Sequence, residues 1–306
     1  MSAPKTKSPI LSIIILSYNT KDLLADCLDS LAKLKKELDF EVLVPDNGST
    51  DGSIDLVRKK YTWATLIDNQ ANLGFAKGNN SARKYTRGKY VLFLNSDTIV
   101  YPGTLKKSVD LLESNEQIGA MTCRLKMADG GDDPDARRSF PTPWVSLTHL
   151  VLKLDKLFPQ SKLFARYWYG YISPSTQHEV DVIQGAYFMS PKKVLDSVDW
   201  FDEDYFLDGE DIDLCWKIHE KGFKIYYYPK VHILHLKGAS KGKHKKTKSK
   251  VPLAAKLKFR MAGVNSMEIF YRKRMWHKYP FVVNLMVLAG IRIMKGVRIL
   301  KVAILG

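Results

Sequence analysis

The sequence predicts an α/β protein: a mostly parallel central sheet flanked by helices, followed by an amphipathic, basic helical tail. Three observations carry that expectation. Strand-like apolar runs alternate with helically spaced apolar positions through the first half of the chain, a pattern that yields a parallel sheet with helices on its faces. Polar clusters follow the second and fourth of those strands, where open α/β sheets bind ligands. Charge is also segregated. From Lys237 onward there are 18 Lys and Arg against a single acid, Glu268, whereas residues 1–236 hold 30 basic and 31 acidic groups.

The elements follow in order. Ile10–Ser17 (ILSIIILS) is continuously apolar and β-branched, which suits a strand buried on both faces. Asn19 or Thr20 can cap the next helix, where Leu23, Leu24, Cys27, Leu28, Leu31 and Leu34 recur at helical spacing. Phe40–Val44 is a second strand and runs into the turn signal Asp46–Ser53 (DNGSTDGS). A helix over about 54–60, a strand over about 64–67 and a helix from Phe75 precede the strand Tyr90–Leu94. Pro102 suits the first turn of the helix after it. The second half is less regular. Asp129–Pro143 reads as loop, Trp144–Leu157 as helical, Phe164–Tyr171 as an aromatic segment, Val180–Met189 as a strand, Glu210–Lys221 as a helix and Lys224–Tyr228 as a strand. Ser240–Lys250 (SKGKHKKTKSK) is a low-complexity basic loop.

Composition narrows the function classes. With 306 residues, 45% hydrophobic and 11% aromatic, the chain can bury a large core and does not read as disordered. No window reaches the roughly 20 uncharged apolar residues of a spanning helix. Met1–Pro9 carries two lysines and leads into a strand, so no secretory signal is expected. Cys27, Cys123 and Cys215 lie far apart without a CxxC pair, which argues against a disulfide framework or zinc knuckle and for a reducing cytosol. The net charge of +16 points to a polyanionic partner: a membrane face, phosphorylated substrates or nucleic acid.

Four constellations carry chemistry. Asp46–Ser53 can hold the base and ribose of a nucleotide, or be a tight turn with Ser and Asp caps. Asn95-Ser96-Asp97 at a strand end can place a carboxylate on a divalent cation whose shell diphosphate oxygens complete, or be an ordinary strand-to-helix loop. Asp208, Glu210, Asp211 and Asp213 crowd one helix start. Capping and the helix dipole need only one or two of them, and a carboxylate there would serve as general base. His232 and His235 point to opposite faces of an extended segment, so one of them at most faces the site. A histidine there is a metal ligand or a structural residue, and Lys237 and Lys241 nearby favour phosphate.

Taken together, SIIILSYN (12–19), VPDNGSTDGS (44–53), NQANLGFAKGNN (69–80), FLNSDT (93–98), QGAYFMS (184–190), FLDGEDIDLCWK (206–217) and HLKGAS (235–240) resemble the family 2 glycosyltransferases of the GT-A fold. Within that family the likeness is greatest to the rhamnosyltransferase-type branch that builds bacterial cell-surface glycans. The resemblance covers about residues 10–240. It implies a GT-A domain over 1–240, with a nucleotide-sugar half at about 10–125 and an acceptor half at about 126–240; the remaining residues, 241–306, read from their charge and apolar pattern as a basic loop and an amphipathic, membrane-associating tail.

It also implies roles. Asp46, Asn47 and Asp51 would meet the nucleotide, and Asn72, Gly74 and Asn79 would line the nucleotide-sugar pocket. Asn95 and Ser96 would touch the donor, and Gly185 with Ala186 would form the loop where donor and acceptor meet. Asp97 matches the last position of the metal-binding DxD motif. The first position is Asn95, so one negative charge of a strict DxD is missing. His235 would complete the site of a divalent cation, Mn²⁺ or Mg²⁺. Glu210-Asp211 matches the ED pair, with Asp211 as the base of an inverting transfer of rhamnose or a similar hexose to a glycan or lipid-linked acceptor. Transfer to a polyprenyl phosphate is one alternative. Another is a catalytically weak, membrane-recruited binder of nucleotide sugars or polyanions, against which Asp97, Glu210, Asp211 and His235 argue.

The tail lies outside the resemblance. Its longest uncharged stretch, Tyr279–Ile291, is too short to span a bilayer. Arg292, Lys295, Arg298 and Lys301 fall within one half of a helix surface, and apolar residues cover the other. Such a helix suits an anionic membrane surface, which places the protein in the cytoplasm, peripheral on the inner face of the cell membrane. Docking on the protein's own body is the other reading. The loop 240–250 would close over phosphate groups or stay solvated. No recognised nucleic-acid-binding fold accompanies the charge, so no nucleic-acid partner is expected.

Overall fold

The computed structural model describes residues 8–237 and 253–305; the basic loop Ser240–Lys250 lies outside the described residues. The first half follows the expected alternation: β1 (Leu11–Ile14), α1 (Lys21–Ala32), β2 (Phe40–Asp46), α2 (Ser53–Lys60), β3 (Thr65–Asp68), α3 (Phe75–Asn80) and β4 (Tyr90–Leu94). Every side chain of β1 and β4 is buried, as continuous apolar runs require of strands covered on both faces. One stripe of α1 (Leu24, Cys27, Leu28 and Leu31) is buried at the spacing its sequence sets. These four strands are parallel in the order β3-β2-β1-β4.

Beyond β4 the chain continues through β5 (Thr98–Val100), α4 (Thr104–Ser114), β6 (Ile118–Met127), β7 (Arg137–Arg138), α5 (Pro143–Ser146), α6 (Leu154–Leu157), β8 (His178–Glu179), β9 (Val182–Ile183), β10 (Tyr187–Pro191), α7 (Lys192–Ser197), α8 (Glu210–Glu220) and β11 (Lys224–His235). The sheet has nine strands, ordered β3-β2-β1-β4-β10-β6-β11-β5, with β8 added on β11; β7 and β9 form a separate pair. The far half is mixed rather than parallel. β10 runs antiparallel to both β4 and β6, whereas β11 is parallel to β6 and antiparallel to β5.

Several elements differ from the sequence expectation. β6 is a ten-residue strand paired on both sides that the sequence did not signal. Its small residues explain this: a Cβ on Gly119 would stand 2.5 Å from the Cβ of Phe223. Val180–Met189 divides into β9 and β10 around Gln184–Ala186. The strand expected to end at Tyr228 continues to His235 across a register shift between Tyr228 and His232, where Pro229 removes a ladder donor. The 144–157 helical stretch is interrupted at Lys153, in the left-handed region at φ 52°.

The C-terminal region is α9 (Leu253–Phe270) and α10 (Phe281–Leu305), joined by a wide π-helical turn over Tyr271–Met275 and a short 3-10 turn over Trp276–Lys278. Residues 262–279, grouped with the tail on sequence, pack against α8. Phe270, Tyr271 and Met275 form a second core with Tyr205 and Trp216. Arg274 grips the fully buried Asp213 of α8 through two hydrogen bonds (2.8 and 3.1 Å), and the Tyr205 hydroxyl donates to the same carboxylate at 3.2 Å. α10 turns Asn284, Leu288 and Ile291 inward, and Lys295 pairs with Glu268 at 2.7 Å. Val282, Met286, Ile293 and Leu300 face outward, each more than 60% exposed. One face of the tail is thus docked on the body while an apolar face stays uncovered, and Lys295 leaves the basic row to join the docked face. No helix among the described residues is long and apolar enough to cross a membrane.

The Asp213–Arg274 pair gives a test of this packing. Arg274→Ala leaves a buried carboxylate without its cation and should lower unfolding stability by about 3–5 kcal/mol in urea titrations. A loss under about 1 kcal/mol, the scale of a solvent-exposed pair, contradicts it.

Candidate active site

The sheet gathers the candidate residues along one edge. β2, β4, β6 and β11 all end there, and antiparallel β10 begins there with Gly185 and Ala186 just before it. The Asn95 amide donates to Ala186 O at 3.2 Å, so Asn95 and the Gly185-Ala186 loop are adjacent. A Cβ on Gly185 would lie 3.0 Å from the Phe75 ring.

Asp97 and His235 meet through strand pairing. β5 pairs with the end of β11 so that His235 is opposite Thr98, and the Leu236 amide donates to Asp97 O at 2.8 Å. His235 Nε2 lies 3.5 Å from Asp97 Oδ1, and both side chains are buried. His232, on the opposite face, is exposed. His235 Nδ1 bonds Asp133 Oδ2 at 3.0 Å, and Asp133 Oδ1 takes the Lys237 ammonium at 2.6 Å. Burial opposes charge on His235, but its bonds to Asp133 and Asp97 outweigh that and raise its pKa to about 9. Burial likewise pushes the Asp133 carboxyl up, yet His235 and Lys237 bring it down to about 2.

A divalent cation fits this arrangement. Asp133 holds the imidazole by Nδ1 and turns Nε2 toward the Asp97 carboxylate, the orientation that carboxylate-anchored histidine ligands adopt. Among the described residues no three His, Cys, Asp or Glu converge on a metal position. Asp97 and His235 would therefore hold the ion as a pair, the rest of its shell coming from diphosphate oxygens and water.

The nucleotide-side candidates form two hydrogen-bonded groups. Asn47 is buried, donates to Gly74 O at 2.9 Å and Asn72 Oδ1 at 3.4 Å, and accepts from Asn69 at 3.1 Å. Gly74 has φ 82°, and a Cβ there would stand 2.4 Å from Phe206 O, so only glycine fits. The Phe75 amide donates to the same Phe206 oxygen at 2.7 Å, which ties this turn to the chain entering α8. In the second group, Asp46 accepts from the Ser49 amide and hydroxyl at 2.7 and 2.8 Å. Asp51 accepts from the Lys21 amide at 2.8 Å and the Ser53 amide at 3.0 Å, capping α1 and α2 together. Asn79 donates back to Phe75 O within its own helix at 2.9 Å and joins neither group.

The acidic helix start divides its labour. Gly209 opens α8 at φ 94°; Glu210 and Asp211 are buried at its first turn, and Asp213 is committed to Arg274. Asp211 Oδ1 accepts from the Ile212 amide at 2.8 Å, and Oδ2 is ion-paired with Arg138 from β7. Sequence reasoning missed Asp133, Arg138 and Lys237 as members of the site. Lys237 reads in the sequence only as a neighbouring charge, and Asp133 and Arg138 both sit within Asp129–Pro143, whose Gly, Asp and Pro content signals only loop. The one available cue was an Asp immediately before Pro134, where it caps a short helical turn.

Residues 12–198 match the model of glycosyl transferase family 2. N-acetylglucosaminyl-diphospho-decaprenol L-rhamnosyltransferase of Mycobacterium tuberculosis is 27% identical over 245 residues, covering 76% of this chain and 78% of that one. Rhamnosyltransferase WbbL of Escherichia coli is 24% identical over 231 residues, covering 73% and 82%. The fold is shared with a mannosyltransferase of Pyrobaculum calidifontis, solved in complex with GDP-Man and Mn²⁺, at a TM-score of 0.52 and 18% identity over 98% of this chain and 87% of that one. With that match over more than half its length, and with rhamnosyltransferases among its relatives, the chain belongs to glycosyl transferase family 2.

Proposed function

We infer that the protein transfers a hexose, rhamnose or a close analogue, from a nucleoside diphosphate to a hydroxyl of a lipid-linked or growing cell-surface glycan, with inversion at the anomeric carbon. The observation that carries this reading is the buried Asp97–His235 pair at the sheet edge, on the same edge as the Asn47–Asn72–Gly74 network. The mycobacterial relative, named for a polyprenyl-diphosphate acceptor, supports the lipid-linked choice.

Asp97 and His235 would hold the divalent cation, and their mixed oxygen and nitrogen donors favour Mn²⁺ over Mg²⁺. When bound, that ion neutralises the diphosphate as it leaves. Asn47, Asn72 and Gly74 shape the donor pocket. Asp211 accepts the acceptor hydroxyl's proton while that oxygen attacks from the face opposite the diphosphate, through an oxocarbenium-like state. Arg138 and the Ile212 amide each engage one oxygen of Asp211, which fixes the carboxylate plane and leaves a lone pair on each oxygen for the proton. Arg138 is thus a positioning residue. The outward apolar stripe of α10, in a basic segment, supports peripheral attachment to the inner face of the cell membrane.

Asp211→Asn should cut transfer by roughly 10²–10⁴-fold while donor affinity stays within error. Near-normal turnover rules Asp211 out as the base. Arg138→Lys should lower kcat on the order of 10²-fold with little change in donor KM, because it disturbs orientation rather than donor binding; a pure rise in KM contradicts the positioning role.

His235 predicts a pH dependence. Its pKa is raised from 6.5 to about 9, so its stabilising contribution is complete below pH 6.5 and disappears as pH rises through about 9. In EDTA, the thermal midpoint should fall across that window, and fall less in His235→Gln. Mn²⁺ binding near neutrality should release a proton, measured as a buffer-dependent calorimetric heat. A heat independent of the buffer contradicts His235 as a ligand.

A further inference from the structure

The 143–166 arm, between β7 and β8, carries a second apolar surface that the transfer reaction does not use. Leu147, Leu150, Val151, Leu152, Leu157 and Phe158 are exposed, Val151 and Leu157 to 66% and 70%. This is an ordered surface and not frayed chain. The Trp144 indole donates to Leu163 O at 3.2 Å, His149 stacks on Tyr167 with centroids 4.4 Å apart, and Trp168 donates to Asp135 at 3.2 Å beside the Lys237 cluster. The rim is basic. Lys153, Lys156, Lys162 and Arg166 are exposed, while Asp155, the one acid between 143 and 166, is bound to His149 at 2.8 Å.

The arm also lies beside the tail. A cavity of about 220 Å³ is lined by Thr142 and Arg166 from the arm's base and by Lys278 and Tyr279 from the approach to α10. The bases of the two uncovered apolar faces therefore meet at one opening, whose lining includes the cations Arg166 and Lys278.

We propose that the 143–166 arm is a membrane-contact element that inserts its apolar tip into the interface of an anionic bilayer, alongside α10. This extends the membrane contact assigned above to the tail, and the two are tested apart. An interfacial element buries its apolar side chains at the headgroup boundary, while lysines reach back to the anionic headgroups. The chain would then rest on two contacts with the shared opening between them, which holds the acceptor side of the site against the lipid phase.

The test uses the full chain with vesicles of phosphatidylglycerol and phosphatidylethanolamine, against phosphatidylcholine alone. Val151→Glu with Leu157→Glu should weaken binding to the anionic vesicles by about tenfold or more. Met286→Glu with Ile293→Glu in α10 should weaken it similarly. Acyl-brominated phosphatidylglycerol should quench wild-type tryptophan fluorescence, and Trp144→Phe should diminish that quenching. If the arm variant binds as wild type does, or Trp144→Phe leaves the quenching intact, the proposal is overturned, and loss of binding in the α10 variant then leaves the tail as the sole contact. Loss in the arm variant with normal binding by the α10 variant supports the arm and removes the tail contact. Equal binding to phosphatidylcholine overturns the choice of an anionic surface.

Discussion

The short antiparallel pairing of β5 with the end of β11 is the constraint on which the site depends. Asp97 and His235 are far apart in sequence and become neighbours only because His235 is registered against Thr98. That register follows from β11 shifting its pairing with β6 across the irregularity around Pro229 and continuing to His235, so that Ile233–His235 lie between β6 on one side and β5 on the other. Asp133 then fixes the imidazole from the other side, so that both ring nitrogens face carboxylates. Two carboxylates around one buried histidine hold a proton strongly, and a cation that takes the proton's place inherits the same geometry.

α8 is the second organising element, because it works in two directions. Its first turn buries Glu210 and Asp211, the latter against Arg138 of β7, and Asp213 binds the C-terminal segment through Arg274. The segment over 262–279 therefore buttresses the helix that carries Glu210 and Asp211. A change in how α10 is seated can reach Asp211 through that buttress without touching the Asn47–Asn72–Gly74 network. Phe206, bonded to the Asn72–Phe75 turn, couples that turn to the same helix.

Much of this was legible in the sequence, for identifiable reasons. β1 and β4 show as unbroken apolar runs because both their faces are covered. The odd spacing of His232 and His235 on a strand required opposite faces, and one is exposed while the other is buried. The cluster at 208–213 exceeded what capping needs, and its members do divide between an inward role and an anchoring one. What stayed hidden was non-local. β6 is disguised by its small residues, of which Gly119 answers to Phe223 far along the chain. Asp133 and Arg138 have no periodic or motif signature, since their importance comes from His235 and Asp211, which the fold brings to them. The tail's charge pattern suggested a simple two-sided helix, but the pairing of Lys295 with Glu268 turns part of the basic row inward.

The central claim is that Asp97 and His235 form a cation-dependent diphosphate site. Calorimetric titration of the full chain with UDP, dTDP and GDP, each in Mn²⁺ and in EDTA, tests it most directly. The account predicts that one nucleotide binds in Mn²⁺ and that its binding is lost in EDTA and in Asp97→Ala. Binding that persists undiminished in EDTA and in that variant would contradict it.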